Sequence, residues 1–284
     1  MKEAKIVILA GQSNAVGVGH LKYLPRHFSE EKIKEYYDGY ENIKINYYSH
    51  DKKSCGFVPV TVGCTEISKD TLGPEVGMAE RFCETNQDEE IFIVKCAFGG
   101  SNLYRDWISP SSGEGYDKDA YADQHEHIIR AMESGLPIRA GWCYNELVKI
   151  LGESISYLKG EGYEPKIYGF CWMQGECDAF TAEQVAGYER RYDNLLADLN
   201  SSFGEYLEDC VYVEAGISEI WEFFKEMNEI KENHAAKHKN MFFIDTIANG
   251  LTTKYEPVEE PDTFHYDTDS VIKLGRLFAD KIEL

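Results

Sequence analysis

Short apolar runs alternate with longer amphipathic stretches along this chain. Ile6–Ala10, Ile91–Ala97, Ile167–Met173, Cys210–Glu214 and Met241–Asp245 are short and rich in Ile, Val, Phe and Tyr, the form of strands buried on both faces. Helical patterns lie between and after them. Gly77–Thr85 follows Pro74, a residue suited to a first turn. Cys143–Lys159 places Leu147, Ile150, Leu151, Ile155 and Leu158 at three- and four-residue spacing, and Gly160 and Gly162 then stop it. Thr181, with Glu183 in the first turn, caps a helix running to about Leu199. Ser218–Lys239 and Asp269–Ile282 complete the set. Five strands, each followed by a helix, predict an α/β fold: a three-layer α/β/α sandwich on a mostly parallel, five-stranded sheet.

Two regions break the rhythm. His20–Val62 mixes Tyr, Lys and Asp and is expected to form a loop excursion with a helix over Glu30–Tyr37 and one or two edge strands. Ser109–Pro137 is rich in Gly, Ser, Asp and Tyr and reads as a surface insertion. No repeat, low-complexity tract or linker divides the chain, so residues 1–284 are expected to form one domain, with insertions near 20–62 and 109–137.

Composition narrows the function classes. Fifty acidic against 29 basic residues give a net charge of −21, which disfavours nucleic acid and anionic membrane surfaces because phosphate binding needs clustered Lys and Arg. No stretch has the length and apolarity of a membrane span. The apolar run at the start passes directly into Gly11-Gln12-Ser13-Asn14, so it reads as a core strand of a cytoplasmic chain and not as a signal peptide. The eight cysteines are scattered without a Cys-x-x-Cys pair, and buried free thiols are expected. Oligomeric state has no signature here.

Open α/β sheets bind ligands beyond the carboxyl ends of their strands. Gly11-Gln12-Ser13-Asn14 follows the first strand, and Gly99-Gly100-Ser101-Asn102 follows the second. The third runs into Trp172-Met173-Gln174-Gly175-Glu176-Cys177-Asp178, and Asp262-Thr263-Phe264-His265 precedes the last helix. Together these hold the parts of a hydrolytic site: a nucleophile on a tight turn (Ser13), a base in a loop (His265) and an acid three residues before it (Asp262) to orient the imidazole. Oxyanion donors are the Ser13 N–H, a backbone N–H of Gly99 or Gly100, and the Gln174 amide. Asn14 and Glu176 are candidate supports, and Glu176 competes with Asp262 for the acid role. Tyr104 and Trp107 offer either a flat face to a sugar ring or core packing.

Other motifs fail on inspection. Gly17-x-Gly19 lacks the third glycine of a dinucleotide fingerprint, and no phosphate loop is present. Ala15 stands where the α/β-hydrolase elbow has its second glycine. His125-x-His127 has no accompanying His-Glu-x-x-His pattern and reads as a solvated loop pair. No cofactor or metal is expected.

The four blocks resemble those of the SGNH (GDSL-like) hydrolases. They are most similar to the branch holding carbohydrate esterase family 6 and the sialate O-acetylesterase-like domains. The matching residues are Ile8-Leu-Ala-Gly-Gln-Ser-Asn14, Ala97-Phe-Gly-Gly-Ser101, Trp172-x-Gln-Gly-Glu-x-Asp178 and Asp262-x-x-His265, spread over nearly the whole chain. The Trp-x-Gln-Gly-Glu-x-Asp segment is the most specific. The resemblance implies a flavodoxin-like three-layer fold and serine-esterase chemistry on acetylated carbohydrates, with an acetylated sugar or oligosaccharide as partner. It implies Ser13 as nucleophile, His265 as base and Asp262 as its partner. Gln174 stands in the third block where the broad superfamily has Asn. Two rivals remain open: a hydrolase of other small esters on the same frame, and a catalytically silent carbohydrate-binding protein.

Overall fold

A computed structural model describes residues 2–50, 52–63, 70–86, 89–113, 115–121 and 140–284. The strands are β1 (Lys2–Gly11), β2 (Gly19–His20), β3 (Tyr40–Ser49), β4 (Lys52–Lys53), β5 (Val58–Val60), β6 (Thr71–Leu72), β7 (Ile91–Ala97), β8 (Tyr163–Met173), β9 (Val211–Ala215) and β10 (Met241–Ile244). The helices are α1 (Ser13–Val16), α2 (Leu24–His27), α3 (Glu30–Asp38), α4 (Glu75–Thr85), α5 (Trp142–Gly160), α6 (Ala182–Ala186), α7 (Tyr188–Phe203), α8 (Phe224–Ala236) and α9 (Thr268–Ala279).

The sheet runs β10-β9-β8-β1-β7-β3-β4, with β5 also paired to β3. Strands β10, β9, β8, β1, β7 and β3 are mutually parallel, and β4 and β5 lie antiparallel to β3. Helices α5, α7 and α8 cover one face, while α4 and α9 pack together on the other. Residues Ile6–Ala10 are buried because β1 lies at the centre, with neighbours on both edges and helices on both faces.

The sheet has more parallel strands than the five expected. The additional one, β3, lies inside the excursion at 20–62, and its alternation is broken by Lys44 and Asn46. Those polar groups are satisfied in place: Lys44 Nζ donates to Glu90 Oε1 (2.9 Å), and Asn46 Nδ2 donates to Ser154 Oγ (2.8 Å). A strand with paired polar residues does not read as an apolar run. Helix α3 falls where expected, with Ser29 Oγ accepting from Lys32 N.

Two expected helices differ from their patterns: one is divided and reaches Phe203, and the other is shorter. Thr181 Oγ1 does accept from Gln184 N (3.2 Å), but the helix pauses at Gly187, where the Arg191 guanidinium sits 2.2 Å from any added Cβ. Within Ser218–Lys239 only Phe224–Ala236 is α-helical; Trp221 instead turns in and packs against Phe180 and Phe264, with ring centroids at 5.2 and 5.5 Å. Of the insertion at 109–137, Ser111 N and Oγ both donate to Asp198 Oδ2 on α7, and residues 122–139, including His125 and His127, lie outside the described residues.

Candidate active site

Register assembles the site. Gly11, the last residue of β1, pairs with Ala97 of β7 on one side and Met173 of β8 on the other. Three strands therefore end level, placing Gln12-Ser13, Phe98-Gly99-Gly100 and Gln174 at one edge. The chain builds β3 and β7 on one side of β1 before crossing to β8, β9 and β10 on the other. Such reversals are where open sheets bind ligands.

The turn into α1 depends on Gly11. Its φ is +145°, and an added Cβ would lie 1.9 Å from the Met173 carbonyl oxygen. Gln12 N donates to that carbonyl (2.9 Å), and Gln12 O accepts from Ala15 and Val16 N (both 2.8 Å). Ser13 opens α1 and is half-buried. Beneath it, Lys95 Nζ on β7 donates to Val16 O (2.7 Å) and pairs with Glu75 Oε2 (2.5 Å), with both side chains fully buried.

His265 stands in the loop before α9. Its Nδ1 lies 2.6 Å from Asp262 Oδ2, and Asp262 Oδ1 accepts from Phe264 N (3.0 Å). Burial works to raise the Asp262 carboxyl, but the His265 bond, its charge and backbone N–H groups outweigh it and hold the carboxyl below its usual range. Asn14 brackets the histidine: its Oδ1 accepts from Tyr266 N (3.0 Å), and its Nδ2 donates to Phe264 O (3.4 Å) and Glu176 Oε1 (2.8 Å). One side chain adjacent to Ser13 thus holds both neighbours of His265. Glu176 is fully buried behind Asn14, and the acid bonded to the imidazole is Asp262.

Ser13 and His265 line a common cleft of about 570 Å³ with Gln12, Val18, Gly99, Gly100, Cys177, Trp221 and Phe264. Gly99 backs the serine, since a Cβ there would come 3.7 Å from Ser13 Cβ. Gly100 has φ +72° and open space around its Cα. Gln174 lies behind this wall, wholly buried. Its Nε2 donates to Asp178 Oδ2 (2.5 Å) and lies 3.4 Å from Ser101 O, so both amide hydrogens face protein acceptors.

Asp178 is the staple of the second and third blocks. It accepts from Leu103 N (2.8 Å), Tyr104 N (2.9 Å) and Gln174 Nε2, and burial pushes its carboxyl up to about 6. Lys231 of α8 is buried below, donating to Gln174 O and to Ala215 O (2.8 Å), and its burial lowers its pKa against the pull of Glu214, Glu176 and Asp178. Trp107 is fully buried, with Nε1 donating to Ser101 Oγ (2.8 Å) and its ring edge-to-face with Trp172 at 5.0 Å. It anchors the loop. Tyr104 lies under the Arg191 guanidinium (4.6 Å) and does not line the Ser13 cleft.

Sequence reasoning missed Val18, Cys177, Trp221 and Phe264 as cleft walls. Phe264 and Cys177 carried a signal in their places between Asp262 and His265 and between Glu176 and Asp178; Val18 and Trp221 carried none.

A mostly parallel sheet between helices, with a serine on the turn after β1 and an Asp–His pair on the same cleft, defines the SGNH-like class of α/β/α hydrolases. A family model described as carbohydrate esterase, sialic acid-specific acetylesterase, matches residues 3–283, and the chain belongs to that family. It is a carbohydrate acetylesterase, a carboxylic ester hydrolase. The fold is shared with a protein from Arabidopsis thaliana (18% identity over 98% of this chain and 97% of that one, TM-score 0.63) and with NanS (18%, 99% and 97%, TM-score 0.66). It is also similar to a carbohydrate acetylesterase from Xanthomonas citri (11%, 98% and 55%, TM-score 0.60). No curated protein matches this sequence.

Proposed function

We propose that the protein removes O-acetyl groups from a small acetylated sugar or oligosaccharide through an acetyl-enzyme, with Ser13 as nucleophile, His265 as base and Asp262 as the residue orienting it. The observation that carries this reading is the Asp262–His265 pair opening onto the cleft that Ser13 lines, with Asn14 fastening the two loops together. His265 Nε2 takes the Ser13 proton as Oγ attacks the acetyl carbonyl. It returns the proton to the departing sugar oxygen, and water repeats the cycle against the acetyl-enzyme.

The developing oxyanion is met by the N–H groups of Ser13 and Gly99, with Gly100 adjacent. Because the Gln174 amide faces Asp178 and Ser101, we assign it to holding this wall in place; direct oxyanion contact would require it to leave Asp178. The family description supports taking O-acetylated sialic acids as the first candidate substrates, and acetylated xylo-oligosaccharides are the next to try. The walls of Val18, Trp221 and Phe264 suit the acetyl methyl and the flat face of a sugar ring. The same apolar walls favour one second reading, hydrolysis of simple aryl esters on the same frame.

Acetate release from p-nitrophenyl acetate and from a panel of acetylated sugars tests the assignment. Ser13→Ala and His265→Ala are each expected to lower kcat by about 10⁶-fold, and Asp262→Asn by roughly 10⁴-fold. Turnover that survives in Ser13→Ala overturns the mechanism. A folded wild type that is silent on every substrate and does not react with a serine-directed phosphonate supports a sugar-binding protein instead.

A further inference from the structure

A second cluster of chemically capable side chains lies between α7, α8 and β9. His234, in the last turn of α8, is almost wholly buried. Its Nδ1 lies 3.0 Å from Glu214 Oε1 on β9, and its Nε2 lies 2.9 Å from Asp193 Oδ1 on α7. His238 follows four residues later, just past the helix end. The bonds Lys237 N to His234 O and His238 N to Ala235 O carry the helical path onward, so the two rings meet edge-to-face at 5.2 Å. The ligating atoms of Asp193, His234 and His238 lie within 4.8 Å of one another.

We propose that Asp193, His234 and His238 bind one divalent transition-metal ion of the zinc class, bridging α7 and α8, with water completing four ligands. Two imidazole nitrogens and one carboxylate suit zinc, cobalt or nickel better than magnesium or calcium, which prefer all-oxygen sets. His234 is already oriented for the task. A carboxylate on Nδ1 orients the ring, the arrangement that supports histidine ligands in known metal sites, and a bound ion would take the place of the proton shared between Nε2 and Asp193. Asp193 and His238 are exposed, so their side chains can rotate to about 2.0–2.2 Å from a common centre. None of the three lines the Ser13 cleft, so the site stands independently of the esterase mechanism. The ion would fasten α8, whose Lys231 backs the Gln174 carbonyl, to its neighbour α7.

The test is titration of the EDTA-treated full chain with Co²⁺, followed by visible absorption, and with Zn²⁺, followed by calorimetry and thermal unfolding. The wild type is expected to take one equivalent and to gain thermal stability. His238→Ala and Asp193→Asn, both at exposed positions, are expected to bind at least about 10-fold more weakly, and Glu214→Gln about 10–100-fold more weakly. Cys55→Ser, which removes an exposed thiol, is expected to bind as the wild type does. Absence of saturable Co²⁺ binding overturns the proposal and leaves His234 as an ordinary ion-pair bridge between two carboxylates. Equal binding by the wild type, His238→Ala and Asp193→Asn overturns it as well.

Discussion

Asn14 ties the nucleophile turn to the histidine loop. Its amide spans three partners: the backbone on either side of His265 and the buried Glu176. It touches no reacting atom in our reading, so its work is to fix where the imidazole stands relative to Ser13. Displacing a catalytic group by about 1 Å costs on the order of 10²-fold in rate. Asn14→Ala is therefore expected to lower kcat by about that factor with little change in KM, measured on the same acetyl ester. A variant that loses KM and keeps kcat would place Asn14 in substrate binding instead. Against its burial, the bond from His265, the charge of His265 and the backbone N–H groups hold the Asp262 carboxyl below its usual range.

At the scale of elements, the helix pair α4 and α9 depends on two glycines. A Cβ on Gly77 would lie 1.9 Å from Ile272 O, and one on Gly275 would lie 1.9 Å from Pro74 O. The backbones touch, and no side chain can be accommodated without parting the helices. Gly275→Ala is expected to cost about 1–3 kcal/mol through overpacking, read as a lower urea midpoint with an unchanged m-value. A neutral result would mean that the helices separate freely. The contact reaches toward the site, because Glu75 in the first turn of α4 holds Lys95, and Lys95 holds the end of α1. On the other side, Asp178 accepts from two successive N–H groups of the loop after β7. A carboxylate supplied from the β8 end thus adds to the loop's own bonds, such as Asn102 N to Asp106 Oδ2 and Trp107 Nε1 to Ser101 Oγ.

For the whole molecule, Asp178 has a consequence for stability against pH. Its carboxyl titrates near 6 in the folded chain, against an ordinary 3.8. Between these values the native state binds the proton and the unfolded chain does not, so this group's contribution to stability falls as pH rises from about 4 to 6. The size is roughly 3 kcal/mol. In urea unfolding at pH 4.5 and pH 7, the wild type is expected to lose stability relative to Asp178→Asn as the pH rises. A gap that moves the other way would show that the three donated hydrogen bonds outweigh burial. With a net charge of −21, each buried carboxylate also adds to an acidic whole, which is consistent with the partially compensating burial of Lys231 and Lys95.

The central strands and most helices were legible because apolar periodicity is a local property: Ile6–Ala10, Ile91–Ala97 and Cys143–Lys159 carry their burial in their own spacing. The Asp262–His265 pair was legible for the same reason, since three residues in a tight loop bring acid and imidazole together. So was the glycine before Ser13, because only a residue without Cβ turns there. Tertiary structure decided the rest. Strand β3 became interior because Glu90 and Ser154 answer its polar residues. Trp221 left its helix for an aromatic cluster, Gln174 turned to a buried Asp178, and His234 met Asp193 and Glu214 from separate elements. Apart from the Gln174–Asp178 contact, which spans four residues, each of these depends on a partner 20 to 108 residues away. A side chain's own spacing records which face is apolar, whereas the partner that satisfies a buried polar group is set only when the sheet brings distant elements level.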